Sequence, residues 1–402
     1  MLSSRVLTCL KLFNLQQFRS INQTLSLRSI KKVSEMSGPP ENQEKCGWVK
    51  YSESKLVSLE KKIFQVVQTA YKGCHVLIDH KSSIKAKIWT ISMNTESKNT
   101  PLVLLHGFGA GVGFWCLNLD SLAANRPVYA IDILGFGRSS RPDFSCDSLE
   151  AEQEFVESIE QWRKEVKLDQ FILLGHSMGG YLATSYTISY PKQVKHLILA
   201  DPWGFVERPS DFNPPLWLKT LGIVLYPFTA FNPLATVRAA GPFGPWIIRK
   251  MRSDISNKYA GHLENHEIIS DYIYQCNSQK PTGETAFHRM IKGFGWAKNP
   301  MLNRIHKLDN RVPITLMNGS NTWMDRSVGK KLKELRKSSY VRLEVISQAG
   351  HHVHADNPDS FNELVVDACN LTEGGDKQND KLPLEIIPDQ DTIVTDTQVV
   401  AS

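Results

Sequence analysis

The stretch FILLGHSMGG at residues 171–180 decides the fold. Four apolar residues run into Gly-His-Ser-Met-Gly, which places a small residue on each side of Ser177. A buried strand that merely ended would need a single turn residue. A strand, a tight turn with serine at its apex and a following helix form the nucleophile elbow, the helix here being supplied by YLATSYTISY (181–190) and closed by Pro191. Gly175 and Gly179 let the backbone turn without a side-chain clash. Ser177 then projects from the sheet at a helix N-terminus, where N–H groups and the helix dipole favour an oxyanion.

Outward from this turn, short apolar runs alternate with helical spacing. HVLI (75–78), IKAKIWTISM (84–93), PLVLLHG (101–107), PVYAIDILGFGRSS (127–140) and VKHLILAD (194–201) read as strands, and 149–166 reads as a helix. The alternation predicts an α/β fold, a mostly parallel sheet covered by helices on both faces. It stops after Asp201 and resumes at VPITLM (312–317) and VRLEVI (341–346), so a core at 73–202 and 309–372 is interrupted by a cap insert at 203–308. Residues 47–72 form an amphipathic lead-in, with an apolar stripe from Leu56 to Ala70 and Ser54 as the expected N-cap. The polar segment 373–402 is expected to be disordered.

At 41% hydrophobic and 22% charged residues the chain affords a core that needs no metal or disulfide staple. Its seven cysteines are odd in number and lack CxxC spacing, which argues for a reducing compartment and against both secretion and a zinc site. The net charge of +6 sits entirely in residues 1–34, which hold six basic residues and no acid, so the remainder offers no general nucleic-acid surface. The basic leader (1–36) reads as a mitochondrial transit peptide or a segment that contacts anionic membranes. Region 206–307 carries 13 basic against 7 acidic residues, a bias that calls for an anionic partner. No apolar run reaches membrane-spanning length.

A nucleophilic serine needs a base and an acid from later in the chain. Among the three histidines of SQAGHHVHADNP (347–358), His351 follows Ala-Gly at the loop tip and is the candidate base. The acid is expected after VPITLM, where Asp325 is the only carboxylate of NGSNTWMD (318–325); Asp201, at the end of the strand after the elbow, is the alternative. The N–H groups of Met178 and Phe108 are the candidate oxyanion donors. HGFGAGVG (106–113) has neither the dinucleotide nor the phosphate-loop register, so no cofactor and no metal are expected.

With HGFGAGVGFW, DILGFGRSSRP, LLGHSMGG, DPWGF, AGPFGPW, TGETAF, FGWA and HHVHADNP in this order between about residues 47 and 370, the chain resembles the alpha/beta-hydrolase-domain-containing 4 and 5 family. The elbow is generic to α/β hydrolases; DPWGF, GPFGPW and FGWA are not. The resemblance implies an α/β-hydrolase fold with a helical cap and a serine lipase that removes acyl chains from N-acylphosphatidylethanolamine or lysophospholipids. It also implies, as alternatives, a lysophosphatidic acid acyltransferase with acyl-CoA as co-substrate, or a droplet-surface co-activator of a patatin-type lipase beside a droplet coat protein. The acyltransferase reading leans on His351 and Asp356 as an H-x-x-x-x-D motif, although the spacing alone equally suits Asp356 as a cap of the final helix. The site of action so implied is a membrane or lipid-droplet surface. Trp217, Phe228, Phe231, Phe243 and Trp246 beside Arg249, Lys250 and Arg252 fit such a surface on physical grounds.

Overall fold

The computed structural model describes residues 48, 51–81, 84–209, 233–293 and 295–375. The basic leader, the tail beyond 375, and Trp217, Phe228 and Phe231 lie outside the described residues.

The core strands are β1 (Tyr71–His80), β2 (Ile84–Met93), β3 (Leu102–Leu105), β4 (Val128–Ile131), β5 (Phe171–His176) and β6 (Val194–Ala200). A two-stranded ribbon, β7 (Ile291–Lys292) and β8 (Trp296–Ala297), belongs to the insert, and β9 (Ile314–Gly319) and β10 (Val341–Ile346) complete the main sheet. Its order is β1-β2-β4-β3-β5-β6-β9-β10, antiparallel at β1–β2 and β2–β4 and parallel elsewhere.

Alternation along β3 builds two cores at once. Leu102 and Leu104 face one layer, where Phe361, Val365 and Ala368 of helix Pro358–Gly375 pack. Val103 and Leu105 face the other, with Phe155 and Ile159 of helix Ser148–Glu165 and Leu182 and Tyr186 of helix Met178–Ser189. Every residue of β3, β5 and β9 is buried, as expected of strands covered on both faces.

The lead-in helix runs Glu53–Ile63 and its N-cap is Ser52, not Ser54. Ser52 Oγ accepts the Lys55 N–H, whereas the Ser54 hydroxyl is occupied by Ser52. Leu56, Leu59 and Ile63 are buried in the same cluster as Tyr272 and Ile273 of cap helix Ile268–Asn277, and the Ser52 N–H reaches Gln275 Oε1 at 2.9 Å. At the other end, the last helix continues to Gly375, past the expected start of the disordered tail. Glu373 is held there by Arg126 at 2.6 Å.

Part of the positive charge of the insert is met from within the protein. Arg238 pairs with Glu284 and Arg249 with Asp271, both inside the cap. Lys258, Lys280 and Arg304 reach across to Asp356, Asp143 and Glu152 of the core. Three of these charges therefore attach the cap to the core.

Gly179 tests the close approach at the elbow. A methyl group there would run into the Leu105 and His106 carbonyls, which are backbone and cannot move aside. Gly179→Ala is expected to lower stability by about 3 kcal/mol or more, read from the denaturant midpoint at unchanged slope. A wild-type midpoint would contradict the close packing of β3 on the elbow.

Candidate active site

Ser177 sits between β5 and helix Met178–Ser189 with φ 55° and ψ −117°, a conformation that non-glycine residues adopt at some cost. The surroundings hold it there. Its N–H donates to Ala200 O at 3.1 Å, and its carbonyl accepts from Gly180, Tyr181 and Trp203 N–H at 3.0–3.2 Å. The hydroxyl meets His351 Nε2 at 2.9 Å, and His351 Nδ1 meets Asp201 Oδ2 at 2.6 Å. A carboxylate only accepts, so Nδ1 carries the proton and Nε2 is left to accept from Ser177.

The acid beside His351 is thus Asp201, correcting the expectation for Asp325. Asp201 is fully buried at the end of β6 and also has positive φ, 45°. Its carboxylate accepts from Asn318 Nδ2 at 2.8 Å and from the Thr322 hydroxyl at 2.5 Å. The end of β9 and the loop after it therefore supply hydrogen-bond donors to the acid. Asp325 lies further along that loop and turns its side chain to the Ser327 N–H at 2.9 Å, an exposed turn contact. Neither Asn318 nor Thr322 was expected here; their signal is one donor at the end of a buried strand and a second in the loop after it, with no acid before Asp325.

Asp356 is likewise not where either sequence reading put it. The N-terminus of helix Pro358–Gly375 is served by Asn357, whose side chain accepts the Ser360 N–H at 3.2 Å. Asp356 Oδ2 accepts the Gly350 N–H at 2.9 Å and Oδ1 holds the Lys258 ammonium. With His351 Nδ1 on Asp201, His351 and Asp356 do not form an acid–base dyad.

The two oxyanion candidates are both brought to the serine. Met178 is the first residue of its helix, where N–H groups lack intrahelical acceptors. Phe108 follows Gly107, whose backbone backs directly on Ser177, since a methyl group on Gly107 would lie 3.2 Å from Ser177 Cβ. The Phe108 ring stacks on Phe287 at 4.8 Å and Phe287 meets Trp203 at 4.6 Å, a continuous apolar wall. Asp132 braces both glycine-rich turns by accepting the Val112 and Arg138 N–H groups at 2.7 Å, and burial raises its carboxyl above the usual carboxylate range.

A histidine cluster closes the back of the site. His176 Nε2 donates to the His351 carbonyl at 2.9 Å, and burial, followed by the nearby His354 and His351, holds His176 well below the usual imidazole range. Burial lowers His106 to about 4; its Nδ1–H donates to Gly107 O and its Nε2 accepts the Ile133 N–H. His354 packs against Trp115 at 4.6 Å and His176 at 4.7 Å with no hydrogen-bond partner on either ring nitrogen, and burial takes it down to about 3. These neutral rings support the loop of His351 rather than carry protons. Among the described residues, no group of three or more His, Cys, Asp or Glu side chains is arranged to hold a metal ion.

A serine on an elbow, a histidine and a buried aspartate, set at the C-terminal ends of strands in this sheet, define an α/β hydrolase. The family described as alpha/beta hydrolase fold matches residues 100–236. Over 327 residues, 80% of this chain and 93% of the relative, the sequence is 50% identical to the (lyso)-N-acylphosphatidylethanolamine lipase of Mus musculus. Over 343 residues, 82% of this chain and 96% of the relative, it is 46% identical to the human 1-acylglycerol-3-phosphate O-acyltransferase ABHD5. The chain belongs to the α/β-hydrolase family, in the branch that holds these two relatives. Among solved structures, the naproxen esterase of Bacillus subtilis superposes with a TM-score of 0.55 at 18% identity, covering 79% of this chain and 99% of the esterase, a likeness of fold.

The depressed histidines set the acid side of stability. Unfolded, each would protonate near 6.5; folded, His106 and His354 stay neutral down to about 4 and about 3. Their contribution is therefore fully present above pH 6.5 and is lost as pH falls toward those values. His354→Leu is expected to flatten the fall, removing a slope of about tenfold in the unfolding constant per pH unit between pH 6 and 5. Denaturant titrations at the two pH values measure it; parallel curves for variant and wild type would contradict it.

Proposed function

We propose that this protein is a serine lipase that removes acyl chains from phospholipids of the N-acylphosphatidylethanolamine and lysophospholipid type. The observation that carries the reading is the unbroken hydrogen-bond line from Ser177 Oγ through His351 to Asp201. In the reaction, Ser177 Oγ attacks the acyl carbonyl while His351 Nε2 takes its proton. Asp201 holds the imidazole tautomer and stabilises the imidazolium that forms. The Met178 and Phe108 N–H groups face the developing oxyanion. His351 then gives the proton to the leaving head-group oxygen, and water, activated by the same imidazole, releases the fatty acid.

The substrate class rests on the relatives and on the surface. The aromatic wall of Phe108, Phe287 and Trp203 suits an acyl chain. On the cap, Phe243 and Trp246 are 63% and 48% exposed, and Trp48, 61% exposed, is fixed beside them by its Nε1–H to Ala239 O. Such aromatics suit a membrane or droplet surface, where a patatin-type lipase and a droplet coat protein would be neighbours. Arg249 and Arg252 are spent on Asp271 and Asp254, while Lys250 stays exposed beside the aromatics of this face.

The acyltransferase of this branch suggests a second outcome on the same serine: the acyl-enzyme resolved by the hydroxyl of lysophosphatidic acid instead of water. Purified protein on vesicles of N-acylphosphatidylethanolamine and lysophosphatidic acid with labelled acyl-CoA separates the two by mass spectrometry. Free fatty acid lost in Ser177→Ala is the expected result; labelled phosphatidic acid that survives in the variant would overturn the serine mechanism. In the same assay Asp201→Asn should cost on the order of 10^4 in kcat, while Asp325→Asn stays at the wild-type rate. Equal losses in the two variants would contradict the assignment of Asp201.

A further inference from the structure

The loop that carries His351 is pinned at three backbone positions. Ala349 O accepts the Asn321 N–H at 2.8 Å, Gly350 N–H donates to Asp356 Oδ2 at 2.9 Å, and His351 O accepts from His176 at 2.9 Å. Asn321 and His176 belong to the core. Asp356 is different, because its other oxygen holds Lys258, a residue of the cap.

We propose that Asp356 is a positioning residue for His351 and that Lys258 makes this positioning conditional on a seated cap. The chain spacing suits the first role. The His352 carbonyl accepts the Ala355 and Asp356 N–H groups at 2.8 Å, so one helical turn after His351 returns the carboxylate to the peptide just before it. The H-x-x-x-x-D spacing is then a backbone clamp on the base, with the proton chemistry left to Asp201.

The cap side of the link is equally definite. Lys258 closes the short helix Ser253–Asn257. The next residue, Tyr259, is fully buried and donates its hydroxyl to Phe114 O at 3.0 Å, which seats this part of the cap on the loop after β3. The Phe114 ring in turn packs against His352 at 6.4 Å. Only with that seat occupied does the lysine reach Asp356. The Lys258 and Asp356 side chains are 17% and 11% exposed, so the pair is largely shielded from solvent. Withdrawing the ammonium leaves a carboxylate that must find water, and turning toward water means releasing the Gly350 N–H. Lifting the cap at this point would loosen the base while Ser177 and Asp201 stay in place.

The kinetic part of this inference rests on the serine-hydrolase reading; the conformational part does not. Full-length wild type, Lys258→Met, Lys258→Arg and Asp356→Asn are compared by amide hydrogen exchange and by the rate at which a fluorophosphonate probe labels Ser177. Exchange of peptides covering 347–352 is expected to quicken about tenfold in Lys258→Met and Asp356→Asn, and no further in the double variant. Peptides of β3 and β5 should keep wild-type protection, and Lys258→Arg should restore the 347–352 value. Labelling, and kcat on a soluble p-nitrophenyl ester, should fall in parallel, with KM changed by less than about twofold. Wild-type protection of 347–352 in both single variants overturns the proposal, as does loosening that spreads to β3 and β5. A wild type that the probe does not label would remove the hydrolase reading, while the exchange comparison would still decide the link.

Discussion

The backbone of Ser177 is the constraint on which the rest of the structure depends. A serine at φ 55° is held by four hydrogen bonds to its own peptide groups, one from the neighbouring strand and three at the start of the following helix and chain turn. That conformation requires the helix to approach β3 so closely that position 179 must be glycine. The approach in turn fixes the loop after β3, where Gly107 backs on His176 and Ser177. Asp132 then ties that loop to the glycine-rich bend after β4. The strain at one residue is thus supported by three strands and two loops, and the catalytic geometry follows from their packing.

Much of this was legible in the residues because strong local signals coincide. Apolar runs of four to seven residues between glycine and proline punctuation gave the strands, and the elbow identified itself by position between FILL and a helix. His351 was legible as the loop-tip histidine after the last strand. The acid was not, for a topological reason. β6 and β9 are neighbours, paired from Leu197↔Ile314 to Ala200↔Met317, so Asp201, just past β6, and Asn318, near the end of β9, come next in register side by side. Either strand end reaches the same histidine, and spacing along the chain does not distinguish them. What distinguishes them is three-dimensional: Asp201 can be buried because Asn318 and Thr322 satisfy its oxygens.

The charge pattern of the insert shows the same dependence on pairing in space. Counted along the sequence, its basic excess pointed outward to an anion. In the fold, Lys258, Lys280 and Arg304 spend their charge on carboxylates of the core. Ion pairs across such a boundary contribute little individually when exposed, but they select one docking geometry over others. That is the useful property for a cap that must be positioned over a reactive serine.

The point at which the chain joins the fold has a mechanical consequence. Trp48 is fastened to the Ala239 carbonyl, and the lead-in helix that follows is locked to the cap through Ser52 and Gln275. Trp48 and the first turn of the lead-in helix therefore stand at the cap rim. A displacement of Trp48 is felt at the lid through Ala239 and at the sheet through Glu60, which holds both Arg138 and the Trp89 indole.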